Sequence, residues 1–227
     1  MGKLRIIEHS ERAFADREEA GRLLATVLTD LRGQNPLILG IPRGGLVVAK
    51  ELARALDGEV DIIIARKLRS PSNPELAIGA MSEDGHAFVD DSILRYVGVS
   101  DAVLEREKQR VRAEIETRSR LYRHAREKVP LQGRIVVITD DGLATGSTMR
   151  AALWAGRKEN PERLICAVPV GAEPTVHELA ELCDELICYR VPAFFAAVGQ
   201  FYGQFAQVED EEVVEILTQE QQARVSS

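Results

Sequence analysis

Short apolar runs alternate with amphipathic stretches along most of this 227-residue chain. Leu23, Leu24, Val27, Leu28 and Leu31 fall at helical spacing and Gly33 follows as a C-cap, so the pattern predicts a first helix near 16–32. Residues 37–41 (LILGI) and 60–65 (VDIIIA) are short apolar runs rich in β-branched residues, and Gly44–Leu56 between them reads as a helix. That is one β-α-β unit. The alternation returns with a run at 134–139 (RIVVIT), a helix near 147–158, a run at 163–168 (RLICAV), a helix near 175–183 and a run at 185–189 (ELICY). These runs do not alternate polar with apolar positions, as a half-exposed strand would. The fold class they predict is α/β, a parallel sheet covered by helices on both faces.

A different region separates the two blocks. Residues 66–98 carry Ser70-Pro71-Ser72-Asn73-Pro74 and Asp84-Gly85, turn signals that predict a mobile loop followed by a hairpin of about 76–81 and 86–90. Residues 101–128 then hold nine Lys/Arg and six Asp/Glu around a seam at Leu104, Val111, Ile115 and Tyr122, the pattern of a long surface helix. Its basic excess reads as a solvated face with ion pairs, ahead of a phosphate- or RNA-binding role. The tail from 209 to 221 opens on Glu209-Asp210-Glu211-Glu212, acidic residues suited to a helix N-terminus. The expected organisation is one domain over 1–227, with 66–130 as a lid, hairpin and long-helix insertion and 191–227 as a C-terminal appendage.

Composition narrows the functional classes. At 45% hydrophobic and 29% charged residues the chain reads as globular, and a net charge of −7 gives no global attraction for DNA or an anionic membrane, so any phosphate site is local. Cys166, Cys183 and Cys188 form no CxxC pair and sit in or near apolar segments, as free core thiols do. No apolar run reaches the roughly 18 residues of a membrane span, and charge interrupts the N-terminal segment. The expected location is the cytoplasm. His9, His86, His124 and His177 share no metal-ligand spacing.

Candidate chemistry concentrates in three segments. Ile135 through Thr148 reads as a buried strand ending in two carboxylates, Asp140 and Asp141, then a loop of small and hydroxyl residues, Gly142-Leu143-Ala144-Thr145-Gly146-Ser147-Thr148, leading into a helix. Beyond the carboxyl end of a parallel strand, such a loop turns several N–H groups toward one phosphate, and two acids beside it suit sugar hydroxyls or a divalent cation. A phosphorylated sugar satisfies both demands. Gly40-Ile41-Pro42-Arg43-Gly44-Gly45 likewise closes a strand and opens a helix, with two glycines for close approach and Arg43 as a cation, a pyrophosphate-shaped site. Arg66 and Lys67 end the next apolar run.

The 135–148 segment resembles the phosphoribosyl-diphosphate (PRPP) motif of type I phosphoribosyltransferases, and Gly40–Gly45 resembles the pyrophosphate loop of the same family. The resemblance covers most of residues 35–190. It implies that Asp140 and Asp141 hold the ribose hydroxyls, touching Mg²⁺ only through those hydroxyls or water, while Leu143 through Thr148 wrap the 5′-phosphate. It also implies a cis Pro42–Arg43 peptide, pyrophosphate bound by Arg43, Gly44, Gly45, Arg66 and Lys67, a loop that closes after Lys67, and a homodimer. The activity implied is Mg²⁺-dependent transfer of ribose 5-phosphate from PRPP to a nitrogenous base, with a catalytically inactive PRPP- or nucleotide-sensing regulator as the alternative. Pro192, Phe194, Phe195, Phe201, Tyr202 and Phe205 read either as a base-stacking hood or as packing against the sheet edge. Ala144 stands where members acting on 6-oxopurines usually carry an acid, a departure from that pattern.

Overall fold

A computed structural model describes residues 2–71, 73 and 76–225. Six strands form one parallel sheet in the order β1-β9-β8-β7-β2-β3. They are β1 (Lys3–Glu8), β2 (Leu37–Gly40), β3 (Glu59–Ile62), β7 (Ile135–Thr139), β8 (Arg163–Val170) and β9 (Glu185–Arg190). A second, antiparallel sheet of β4 (Ala65–Arg69), β5 (Ala77–Ser82) and β6 (Ala87–Val89) stands beside it. Both sheet faces are covered, and the apolar runs show why. Ile38, Val60, Val137 and Ile165 pack with α1 (Arg17–Ala25), α2 (Gly44–Leu56) and α7 (Asp210–Val225) on one face. Their chain neighbours Leu37, Leu39, Val136, Ile138 and Leu164 pack with α5 (Ser147–Lys158) and α6 (Glu173–Ala180) on the other.

Sheet order decides where a ligand can go. The chain leaves β2 on one side to reach β3 and later places β7 on the other side of β2, so the direction of winding reverses between β2 and β7. A crevice opens there, beyond the carboxyl ends. Gly40 and Thr139, the last residues of the two strands, are paired across it, and Ile41 N–H donates to Thr139 O at 3.0 Å.

Several local expectations shift. The first helix stops at Ala25, not near 32: the Thr26 hydroxyl donates to Leu23 O at 2.6 Å, and a short 3₁₀ turn at Thr29–Leu31 keeps Leu28 and Leu31 in the core. Gly33, at φ +78°, follows that turn and does not cap the helix. The run 60–65 is divided between two sheets, with β3 ending at Ile62 and β4 starting at Ala65. Besides β4, the pattern left β1 and α3 (Asp91–Val97) unread. The long helix, α4 (Asp101–Arg123), ends five residues short of 128, because the chain beyond it is drawn to β3: Arg126 bonds Glu59 at 2.6 Å and Val129 N–H donates to Asp61 at 3.0 Å. Its four seam residues are all buried. The expected closing loop includes Ser72 and Pro74, which lie outside the described residues.

Candidate active site

The two glycine-bearing and acid-bearing loops meet at the crevice. Gly44 opens α2 so close to β7 that a β-carbon there would lie 2.1 Å from Asp141 Oδ2, and one on Gly45 would lie 2.9 Å from Asp140 Cα. Only glycine allows this approach. The preceding Pro42–Arg43 peptide is cis. The Arg43 side chain reaches away along the cleft to the start of α7, with Nη1 3.3 Å from Glu209 Oε2 and 4.0 Å from Asp210 Oδ1. The hydroxyl of Tyr122, from α4, donates to the same Asp210 carboxylate.

The acids differ in their surroundings. Asp140 Oδ1 accepts the Asp141 N–H at 2.9 Å, while Asp141 Oδ2 accepts from Arg17 Nε at 2.8 Å. Desolvation pushes the Asp140 carboxyl well above the usual range, and the adjacent Asp141 charge adds to that shift. Asp141 is raised by desolvation too, with Arg17 opposing it. Past them, Leu143 is tied to the end of β8, its N–H donating to Val170 O and its carbonyl accepting from Ala172 N–H, both at 2.9 Å. Thr175 Oγ1 donates to Ala144 O at 2.7 Å. Gly146 turns into α5 at φ +67° with no side chain capping the helix, so the first N–H groups of α5 face the loop formed by Gly142 through Thr148.

Arg66 and Lys67 lie on opposite faces of β4. Successive side chains of β4 point to opposite faces, and Leu68 packs with the α4 seam while Ala65 joins the core against α5. Arg66 therefore shares the α4 face, and Lys67 faces the other way.

Residues 12–200 match the family model described as "Phosphoribosyl transferase domain". The chain belongs to that family. It is 41% identical over 204 residues, 90% of its own length, to a Mycobacterium tuberculosis (strain H37Rv) protein named "Putative phosphoribosyl transferase Rv0571c", and equally to its counterpart in strain CDC 1551. The chain spans 46% of the length of those curated relatives, about half. Among solved structures it is similar to TT1426 from Thermus thermophilus, at 44% identity and a TM-score of 0.87, covering 91% of this chain and 98% of that one.

Within this phosphoribosyl transferase domain, the side of the crevice toward β8 is walled by residues the motifs did not reveal. Arg17, from the first turn of α1, holds Asp141, donates through Nη1 to Ala206 O at 2.8 Å and lies 3.9 Å over the Phe205 ring. Nothing local marks it, since 124 residues separate it from its acid. Tyr202 OH donates to Asp141 O at 2.6 Å, and its ring stacks on Phe205 at 5.0 Å. Of the aromatic cluster, Phe201 and Tyr202 pack with Phe14 and with Val170 at the carboxyl end of the interior strand β8. Phe194, at 78% exposure, and Phe205 are the exposed members. Cys166, Cys183 and Cys188 are buried free thiols, and no described helix is long and apolar enough to cross a membrane.

Proposed function

We propose that this domain transfers the ribose 5-phosphate of PRPP to a nitrogenous base and releases pyrophosphate. The observation that carries the reading is the close approach of Gly44 and Gly45 to Asp141 and Asp140. It sets a glycine loop suited to a diphosphate against a carboxylate pair suited to a diol, with the phosphate-type loop before α5 continuing from the same acids. PRPP carries those three groups in that order. In this reading Asp140 and Asp141 grip the 2′- and 3′-hydroxyls, and Gly142 through Thr148 hold the 5′-phosphate on their N–H groups. Arg43, Arg66 and the Gly44 N–H receive the pyrophosphate, and Gly45 leaves room for its approach. The place of Lys67 in leaving-group binding rests on the family resemblance alone.

The chemistry asks little covalent work of the protein. As the C1–oxygen bond breaks, positive charge develops on the ribose ring and negative charge on the departing pyrophosphate, so positioning and charge stabilisation supply the rate enhancement. Among the described residues no group of three or more His, Cys, Asp or Glu could hold a metal. Two adjacent carboxylates, Asp140 and Asp141, fit Mg²⁺ carried on the substrate's own oxygens and reached through hydroxyls or water. When bound, the ion neutralises pyrophosphate charge. Three buried thiols without a disulfide suit a reducing, cytoplasmic setting, and we expect a homodimer, which light scattering tests.

Replacing both Asp140 and Asp141 with Asn should abolish PRPP binding by calorimetry, and unchanged affinity would remove the assignment. Incubation with PRPP, Mg²⁺ and a panel of purines, pyrimidines and pyridines then separates enzyme from sensor. Pyrophosphate release with one acceptor supports transfer, whereas tight binding without turnover means a PRPP-sensing protein.

A further inference from the structure

The basic helix α4 carries ion pairs, as its composition predicts, and among its half-buried cations one has none. Lys108 pairs with Glu105, Arg110 with Glu107 and Glu114, and Arg123 with Asp61 and Glu83. Glu107 also accepts the Arg69 N–H at 2.8 Å, and Glu83 accepts the Ser119 hydroxyl. These carboxylates are thereby engaged. Arg118 falls three residues after the buried Ile115 and four before the buried Tyr122, which puts it on the packed face of α4, half-buried and toward β4. Among the described residues no carboxylate pairs with it.

On β4, the strand packed against α4, another arginine is equally short of partners. Arg66, on the α4 face of β4, has its Nε buried with no hydrogen bond. Its pKa is lowered by burial and next by the charge of Arg118, with Glu114 acting in the opposite sense. A guanidinium on each side of the α4–β4 packing, one with a buried donor unspent, is a costly arrangement unless an anion joins them. Their location says which anion. Tyr122 lies one turn from Arg118 and bonds the same Asp210 carboxylate that Arg43 approaches. Arg43 belongs to the glycine loop that meets Asp140 and Asp141.

We propose that Arg118, brought in by the long-helix insertion, joins Arg66 and Arg43 as a ligand of the pyrophosphate group, so that α4 forms one wall of the substrate site. Glu209 and Asp210 balance the Arg43 corner of this cradle. The proposal rests on the phosphoribosyl-transfer reading and adds a residue from outside its motifs.

Calorimetry on the full chain with two probes, Mg²⁺-pyrophosphate and ribose 5-phosphate, tests it. Arg118→Gln should weaken pyrophosphate about tenfold or more, the scale of one lost charge-assisted contact, and leave ribose 5-phosphate affinity and the urea midpoint unchanged. Arg118→Lys should recover part of the loss, and Arg106→Gln, at an exposed position of the same helix, should change neither probe. Equal pyrophosphate affinity in Arg118→Gln and wild type overturns the proposal, as does loss of both probes together, which would mean a structural role. A wild-type chain that binds neither probe instead overturns the phosphoribosyl-transfer reading itself.

Discussion

Gly44→Ala isolates the contact on which the site depends. Gly44 is the first residue of α2, where alanine by propensity alone would stabilise the helix by roughly 0.5–1 kcal/mol. The added methyl, however, would sit 2.1 Å from Asp141 Oδ2 and 2.9 Å from Arg17 Nε, far inside contact distance. Relief requires the carboxylate to swing off Arg17 or the helix to move from β7, an overpacking cost of about 1–3 kcal/mol. The difference is a net loss of up to about 2.5 kcal/mol, which for a chain of this size lowers Tm by up to roughly 10 °C. Binding should suffer far more than folding, because the displaced group is the one assigned to the ribose diol: PRPP affinity by calorimetry should fall about tenfold or more, the scale of a lost hydrogen bond to a charged group. Gly98→Ala is the control. Its φ of +66° in open space makes alanine unfavourable by about 1–2 kcal/mol through backbone conformation alone, and it should leave PRPP binding intact. If Gly44→Ala binds PRPP as wild type does, Asp141 is not held where the ribose goes.

Two further outcomes follow from the charges around the site. Because the folded pKa of Asp140 stands above its ordinary 3.8, the native state holds a proton that the unfolded chain releases first, so stability declines as pH rises from there through the folded value. Asp140→Asn keeps an acceptor for the Asp141 N–H and loses the titration, so its Tm should exceed wild type at pH 7 and the gain should vanish below pH 3.8; a lower Tm at pH 7 would show that the ionised acid is not a burden there. Arg123→Met removes bonds of 2.7 Å to Asp61, which is 1% exposed, and of 2.7 and 2.8 Å to Glu83. With Asp61 left uncompensated, urea unfolding should register a loss of about 3–5 kcal/mol, and a loss under about 1 kcal/mol would mean that α4 is anchored by its apolar seam alone.

Much of this architecture was legible because it is local. Apolar runs of the right length, a helix period between them and a small-residue turn after Ile135–Thr139 determined the β-α alternation, the covered parallel sheet and the place of Asp140 and Asp141 at a strand end. The seam of α4 was legible for the same reason, since a 3.6-residue period marks a buried face whatever lies opposite. The break inside VDIIIA was not, because a continuous apolar run carries no period to show where one sheet yields to another. The seam period within 101–128 sets Arg118 on the packed face and Arg110 off it, but it does not show which carboxylates other elements bring near. Sheet order alone set β7 beside β2, thereby joining Gly44 to Asp141, and the packing of α1 and α7 over that junction delivered Arg17 and Glu209. Local free energies specify each element, but contacts across more than a hundred residues depend on how the elements stack, and only the tertiary structure decides that.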